Sequence, residues 1–260
     1  MDSFSKNLLE NHHMAISGGL GALGIAIVKG LAQHGACVSV NDIVEDSLAA
    51  ETLANEQIPA HKVRYMRADL TQSSEVQRFI TAARREFGPI TTALCHAGMV
   101  LPSLLLDVSE DAWDRTIHVN LKSAFLLAAE SAKAMIEDGL RGHLIFTTSW
   151  VSQTPWPGIG AYNASKAGMT QLMRTFAREL APNIRANAIA PGIVAAGLAK
   201  RQWDMEPDYR ARAQKAIPLG QMQPLQSVVD AFLFLCSGAA SYMTGSVLLV
   251  DGGCSLYPMD

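Results

Sequence analysis

The sequence is sparing with charge and contains no long apolar run. Asp, Glu, Lys and Arg make up 17% of the 260 residues, and the formal net charge is −3. The charged residues form neither a basic cluster, which would indicate nucleic-acid binding, nor a block of one sign typical of a tail. No apolar run approaches the roughly 20 residues that cross a bilayer. The sequence therefore favours a protein that binds neither nucleic acid nor membrane.

Cysteine is also scarce. Cys37, Cys95, Cys236 and Cys254 lie far apart, and no two of them form a C-x-x-C pair. We expect reduced cysteines packed as small hydrophobic residues, and no metal site. The first 13 residues lack a basic segment followed by an apolar one, so we expect no secretory signal. These features favour a cytoplasmic protein.

Hydrophobic residues are abundant, at 49% of the chain, and they fall into alternating short and longer segments. The short apolar runs predict seven strands at 13–17, 37–41, 62–67, 91–95, 143–148, 184–190 and 247–250. Helical patterns lie between them, at 22–34, 45–56, 73–87, 109–137, 161–180 and 227–236, with a polar helical excursion at 197–216. This alternation predicts a single α/β domain over 1–260, with a doubly wound parallel sheet and helices on both faces.

The segment SGGLGALG, residues 17–24, joins the first predicted strand to the first helix. Glycines at such a junction let the backbone lie against a phosphate. Gly19, Gly21 and Gly24 fit the pattern G-x-G-x-x-G. Ser17, Gly18 and Gly24 nearly fit T-G-x-x-x-G-x-G, with Ala22 in place of the middle glycine. The two patterns imply different enzymes, and the loop alone leaves both open.

Tyr162 and Lys166 lie four residues apart and so share one face of a predicted helix. An ammonium beside a phenol favours the phenolate, and a tyrosine pKa lowered by about 3 units would suit acid–base work near neutral pH. Such a pair is common in ordinary amphipathic helices. Here, Ser149 follows the fifth strand 13 residues before Tyr162, and Asn120, a poor helix former, lies inside the longest helix.

These residues, in this order, resemble the short-chain dehydrogenase/reductase family. The segments NAIAPG at 187–192 and TGSVLLVDGG at 244–253 extend the resemblance over nearly the whole chain. The resemblance implies a Rossmann-type fold of seven strands and hydride transfer to or from a nicotinamide cofactor. It also implies a homotetramer or homodimer built through helices 109–137 and 161–180. It selects the second glycine pattern, in which Ala22 replaces the central glycine.

The resemblance assigns a role to each of four catalytic residues. Tyr162 transfers the proton to or from the substrate oxygen. Lys166 lowers the pKa of Tyr162 and holds the nicotinamide ribose, and Ser149 donates a hydrogen bond to the substrate oxygen. Asn120 holds a water molecule that connects Lys166 to solvent.

The cofactor is expected along the carboxyl ends of the strands, with Asp42 as its selector. A carboxylate there accepts hydrogen bonds from ribose hydroxyls and repels a 2′-phosphate, and no Lys or Arg stands in 17–24 or directly after Asp42. NAD is therefore preferred over NADP. Asp42 and Asp69 also have a simpler interpretation as helix caps. The expected cofactor-binding residues are Ser17, Gly18, Leu20, Leu23, Asp42, Asp69, Leu70, His96, Ala97, Gly98, Tyr162, Lys166, Pro191, Gly192 and Val194.

The chain departs from the family pattern at two further places. Cys95 and His96 stand where the family has two asparagines, and Ala196 stands where it often has a threonine that contacts the nicotinamide. His96 has two interpretations: a hydrogen-bonded structural residue, or a residue that binds substrate or responds to pH.

The substrate is expected to be a small alcohol or ketone beside Ser149, Gln153 and Trp156, under a loop at about 195–216. No basic cluster is present for an acyl carrier, so a secondary alcohol is favoured, with a sugar or polyol as first candidate. The alternatives are a 3-oxoacyl-(acyl-carrier-protein) reductase and a non-catalytic dinucleotide-binding regulator. Further pocket candidates are Trp150, Trp203, Met205 and Tyr209.

Overall fold

The computed structural model describes residues 4–256, which form one sheet of seven parallel strands. The strands are β1 (His13–Ser17), β2 (Cys37–Asp42), β3 (Val63–Arg67), β4 (Thr92–Cys95), β5 (Gly142–Thr147), β6 (Ile184–Pro191) and β7 (Val247–Val250). Their order across the sheet is β3-β2-β1-β4-β5-β6-β7. The order reverses direction between β1 and β4, which is where ligands bind in doubly wound sheets. The predicted fold class is confirmed.

Helices cover both faces of the sheet. They are α1 (Gly24–Gln33), α2 (Asp46–Asn55), α3 (Ser73–Phe87), α4 (Glu110–Ile117), α5 (Ser123–Glu137), α6 (Gly160–Leu180), α7 (Gly197–Met205), α8 (Pro207–Ala216) and α9 (Leu225–Cys236). Successive strand residues point to opposite faces. Ile16 of β1 accordingly packs in a cluster with α1 and α9, whereas its neighbour Ala15 packs in a second cluster with α3, α5 and α6. Burial on both faces explains why the strands are almost continuously apolar.

Two predicted helical segments differ from the structure. The helix expected at 109–137 is divided into α4 and α5 by a π-helical segment, His118–Lys122, which contains Asn120. The excursion at 197–216 forms two helices, because Pro207 is suited to a helix start and begins α8. Other predicted boundaries agree with the structure to within two residues.

A third apolar cluster lies beyond the carboxyl ends of the strands. It joins Trp150 and Trp156, from the segment after β5, to Tyr209 of α8, and Tyr162 packs against it. The cluster fixes α7 and α8 above the end of the sheet where the candidate site lies. Among the described helices, none is long and apolar enough to cross a bilayer.

Candidate active site

Ser17 connects the glycine-rich loop to the segment after β4. Its buried hydroxyl oxygen accepts hydrogen bonds from the backbone N–H groups of His96 and Ala97, both at 3.0 Å. The hydroxyl also donates to the Leu94 carbonyl at 3.4 Å. Two expected cofactor-binding segments, 17–24 and 96–98, are thereby held side by side.

The space available for a Cβ at each glycine of the loop helps to choose between the two sequence patterns. Gly18 has a φ of 66°, and a Cβ there would lie 2.8 Å from the Ala97 Cα atom. A Cβ on Gly24 would lie 2.2 Å from the Gly18 carbonyl oxygen. At Gly21 the nearest atom would be 3.5 Å away, which is ordinary contact. A middle glycine at 21 is therefore not required sterically, and the fold supports the T-G-x-x-x-G-x-G pattern.

The start of α1 is suited to a bound anion. Its N-cap residue, Leu23, makes no side-chain cap, and no acidic residue lies in the first turn. The first N–H groups of a helix need acceptors and carry partial positive charge. A pyrophosphate supplies both acceptors and negative charge, so the loop and helix fit a dinucleotide cofactor.

Asp42 ends β2 and faces the same loop. One carboxylate oxygen accepts from the Leu20 N–H at 3.1 Å, and the other accepts from the Ile43 N–H at 2.8 Å. Glu45, not Asp42, is the N-cap residue of α2. Each carboxylate oxygen keeps a further lone pair for a ribose hydroxyl.

Arg67 is a basic group near Asp42 that the sequence pattern did not reveal. It ends β3 and is the register partner of Asp42. Its Nε donates to the Ile43 carbonyl at 3.1 Å, and its guanidinium pairs with Glu45 at 2.8 Å. Only the pairing of β2 with β3 brings this residue close, 25 positions after Asp42. The carboxylate of Glu45 balances the charge of Arg67.

Asp69 and Leu70 follow β3. The Asp69 carboxylate accepts from the Thr71 N–H at 3.0 Å and from the Thr71 hydroxyl at 2.8 Å, and it stays exposed. The N-cap residue of α3 is Gln72, so Asp69 stabilises the turn before the helix instead of capping it. Leu70 is buried.

Ser149, Tyr162 and Lys166 come together beyond the end of β5. The Lys166 Nζ atom lies 5.5 Å from the centre of the Tyr162 ring and donates to the Thr147 carbonyl at 2.7 Å. Ser149 is buried, its hydroxyl oxygen accepts from the Val151 N–H at 3.4 Å, and the hydroxyl acts to lower the pKa of Tyr162. Thr147, which the sequence analysis did not single out, therefore orients the lysine.

The pKa values of this group are dominated by burial. Burial raises the pKa of Tyr162 to about 12, against the opposing effect of the hydrogen bond with Ser149. Burial lowers the pKa of Lys166 to about 8. The direction for Tyr162 is opposite to the lowering expected from the lysine, because desolvation of the phenolate outweighs the effect of its neighbours here. Of the two groups, Lys166 therefore gives up its proton more readily.

Asn120, in the π-helical segment, makes hydrogen bonds to two other parts of the site. Its amide group donates to the Met99 carbonyl at 3.0 Å and to the Ser165 hydroxyl at 2.9 Å, and its oxygen accepts from the Met99 N–H at 2.7 Å. Both amide hydrogens are used in these bonds. The side chain thus fixes the loop after β4 to α6, and its water-holding role stays a prediction.

His96 lies close to Lys166 and Thr147. Its Nδ1 atom pairs with the Thr147 hydroxyl at 3.0 Å, and its ring meets Phe232 edge-on at 6.2 Å. Burial, assisted by the charge of Lys166, lowers the pKa of His96 to about 3. A histidine that stays neutral across the physiological range favours the structural interpretation over a pH response.

Ala97 and Gly98 complete the segment after β4. A Cβ on Gly98 would lie 3.4 Å from the Lys166 Nζ atom and 3.5 Å from the Asn120 Oδ1 atom. The glycine therefore leaves room beside the lysine.

The loop after β6 carries the other expected cofactor residues, Pro191, Gly192 and Val194. A Cβ on Gly192 would lie 2.7 Å from the Asp251 Cα atom. The Gly192 N–H donates to the Gln223 side chain at 2.7 Å, and Val194 forms a bridge with the same residue. Gln223 organises this loop and was not visible as a site residue in the sequence.

The expected substrate residues occupy different environments. Trp156 is buried and meets Trp150 and Tyr209 edge-on, at 5.5 and 6.0 Å. Gln153 is exposed, and Met205 is 73% exposed and does not line the cavity beside Trp156. A cavity of about 360 Å³ adjoins Trp156, and a larger one, about 600 Å³, lies between α1 and α9. None of the four expected catalytic residues lines either cavity.

Comparisons with known proteins agree with this arrangement. A family model described as enoyl-(acyl carrier protein) reductase matches residues 19–255. The 3-oxoacyl-[acyl-carrier-protein] reductase FabG of Thermotoga maritima is 32% identical over 246 residues, covering 94% of this chain and 98% of that protein. The 3beta-hydroxysteroid dehydrogenase 1 of Eggerthella lenta is 31% identical over 251 residues, covering 96% of each.

A solved structure matches as well. A short-chain type dehydrogenase/reductase from Mycobacterium marinum aligns with a TM-score of 0.88 and 30% identity, covering 97% of this chain and 98% of that one. Fold, site and relatives together define an oxidoreductase that acts on CH–OH groups with a nicotinamide cofactor. The chain belongs to the short-chain dehydrogenase/reductase family.

The glycine-rich loop gives a paired prediction. Gly24→Ala should weaken NAD⁺ binding at least tenfold, because the new methyl group would have to displace the Gly18 carbonyl and the backbone of Gly19. Gly21→Ala adds the same methyl group where space exists and should change binding less than threefold. Calorimetric titration of both variants measures the difference, and equal effects would show that the loop is not positioned as described.

Proposed function

We propose that this protein is an NAD-dependent dehydrogenase that interconverts a secondary alcohol and a ketone. The observation that carries the proposal is the buried group of Ser149, Tyr162 and Lys166 beside a dinucleotide-suited loop. When bound, the nicotinamide ring supplies the hydride acceptor. The residues of the chain position the substrate and move its proton.

Each catalytic residue has a role that its contacts support. The Ser149 hydroxyl positions the substrate oxygen next to Tyr162, which accepts the hydroxyl proton during oxidation. Lys166, directed by the Thr147 carbonyl, holds its ammonium group beside the phenol ring, where a positive charge stabilises a phenolate. Removing water from this group strengthens the interaction between its charges.

Turnover should depend on Tyr162. Tyr162→Phe removes only the hydroxyl, so it should bind NAD⁺ like the wild type and lose at least 100-fold in kcat with secondary alcohols. Reduction of NAD⁺ by an alcohol panel, read at 340 nm, together with calorimetric cofactor titration, measures both quantities.

The same assay has a pH dependence. Oxidation needs a Tyr162–Lys166 pair that has already lost one proton and can accept the proton of the substrate hydroxyl. The value of kcat/KM should therefore rise with pH through the region near 8, the lowered pKa of Lys166. Full activity retained by Tyr162→Phe would contradict the proposed role.

The preference for NAD rests on the charge at the end of β2. Asp42 presents a carboxylate where a 2′-phosphate would lie, and Arg67 is engaged by Glu45 and the Ile43 carbonyl. No free basic group therefore offsets the carboxylate in this part of the described chain.

One substitution tests the preference for NAD over NADP. Asp42→Asn keeps an acceptor for the Leu20 N–H but removes the negative charge, so the ratio of NADP⁺ to NAD⁺ affinity should rise at least tenfold, about 1.4 kcal/mol. Calorimetric titration with each cofactor measures the ratio. Tighter NADP⁺ binding by the wild type would refute the selector role of Asp42.

The surroundings of Tyr162 support an alcohol with an apolar body. Ile159, Ala199 and Trp203 pack in the same cluster as the tyrosine, together with Trp156. The expectation of a sugar or polyol gains no support from these apolar side chains. A 3-oxoacyl reductase is the second candidate, favoured by the similarity to the Thermotoga maritima reductase. Presence of all four catalytic residues argues against a non-catalytic regulator.

Association through α4 and α5 accounts for large apolar side chains on their surface. Trp113, Phe125 and Ile136 are exposed, and the Phe125 ring lies 6.4 Å from that of Phe176 on α6. Such a surface is typical of a subunit interface, and we propose a homotetramer.

A charge placed on this surface should disrupt the assembly. Phe125→Glu should reduce the sedimenting mass from a multiple of 27.9 kDa towards one subunit, whereas Leu48→Glu, on the exposed side of α2, should leave it unchanged. Sedimentation velocity measures both, and a wild type that sediments as a monomer would disprove the proposal.

A further inference from the structure

A cavity of about 360 Å³ opens beside the candidate active site, between the segment after β4, the residues before α6 and the helices α7 and α8. Its walls are apolar for the most part, with one cationic side chain. The residues that matter here are Leu104, Trp156, Ile159, Gln202, Tyr209 and Arg212. At about 30 Å³ per water-sized group, the cavity holds roughly a dozen non-hydrogen atoms.

Arg212 is an exposed residue that lines the cavity, and its guanidinium packs over an aromatic ring. Its guanidinium carbon lies 4.8 Å from the centre of the Trp156 ring, and it makes no hydrogen bond or ion pair with any residue in 4–256. Its neighbour Arg210, by contrast, donates to the backbone carbonyls of Trp203 and Asp204. Stacking on an aromatic ring fixes the plane of a guanidinium and leaves its N–H edge for a planar anion.

The helices above the cavity carry positive charge in an otherwise acidic chain. Residues 197–216 contain five Lys or Arg against three Asp or Glu, whereas the whole chain has a net charge of −3. Among the acidic residues of these helices, Asp204 pairs with Lys200, and Glu206 accepts a hydrogen bond from the Gln202 amide at 3.3 Å. The field of Arg212 reaches the cavity wall, where it acts to lower the pKa of Tyr209 against the larger effect of burial.

The cavity lies within one helical turn of the catalytic tyrosine. Ile159 lines it and is the N-cap residue of α6, and Tyr162 lies three residues further on, about 5 Å along the helix axis. The Asn163 side chain donates to the Trp156 carbonyl at 2.9 Å and fixes this segment to the helix. A substrate whose hydroxyl reaches Tyr162 can thus extend into the cavity.

We propose that Arg212 binds a carboxylate of the substrate, so that the enzyme acts on hydroxy acids with an apolar body between the carboxylate and the carbinol. The inference rests on the proposed dehydrogenase function, since it names the substrate class of the same site. The apolar walls contact the carbon chain, and the guanidinium ends the cavity with the one charge that discriminates an acid from its neutral analogue.

Charged and neutral forms of the same substrates test the proposal. The probes are 3-hydroxybutyrate, 4-hydroxypentanoate and 5-hydroxyhexanoate with their methyl esters, each assayed for kcat/KM with NAD⁺. The wild type should prefer at least one acid over its ester at least tenfold, the effect of a charge-assisted hydrogen bond. Arg212→Gln should abolish that preference and leave ester oxidation within threefold. Arg201→Gln, which removes an exposed charge from α7 outside the cavity, should retain the preference.

The outcomes separate the inference from the proposed function. Oxidation of acids and esters at equal rates, or an equal loss of both in Arg212→Gln, would overturn the carboxylate site while leaving the dehydrogenase intact. If no alcohol is oxidised, the dehydrogenase proposal fails, and saturation-transfer NMR with 5-oxohexanoate and its methyl ester then decides the inference. Binding of the acid that Arg212→Gln removes would uphold the site, and its absence in the wild type would reject it.

Discussion

The candidate site depends on the burial of one ammonium group, that of Lys166. A lone buried cation is costly, and the fold satisfies it at the end of β5 through the Thr147 carbonyl. His96 stays neutral next to it and occupies the Thr147 hydroxyl. Gly98 leaves space beside the ammonium group. The departures from the family pattern around position 96 are therefore compatible with the lysine, because no second charge is introduced.

Hydrogen bonds that run between segments, and not within helices or strands, hold this arrangement in place. The Ser17 hydroxyl fixes the glycine-rich loop to the segment after β4, and the Asn120 amide fixes that segment to α6. The π-helical turn around Asn120 interrupts α4 and α5 at the position where this contact is made. Interruptions of this kind are frequent at functional sites. The α-helical hydrogen bonding is interrupted where the π-helical turn, the segment after β4 and α6 meet.

The fold was predictable because it follows from the periodicity of apolar residues along the chain. Part of the site, by contrast, depends on which strands pair and on how deeply each side chain is buried. Apolar runs located the strands, and the common direction of parallel strands placed Asp42, Ser149 and Tyr162 at one edge of the sheet. Arg67 was missed because only the register of β2 with β3 brings it to Asp42. Thr147 was missed because it acts through its backbone carbonyl, a group that every residue carries. The direction of the Tyr162 pKa was mistaken because a sequence shows neighbours but not desolvation.

The substitution of Ala22 for a family glycine is accommodated by the loop that faces it. A Cβ on Gly197, where φ is 55°, would lie 3.7 Å from the Ala22 methyl group. Gly197 carries no side chain at the start of α7, and its positive φ is a conformation that glycine adopts without strain. A larger residue at position 197 would therefore meet the Ala22 methyl group, whereas glycine leaves that space open.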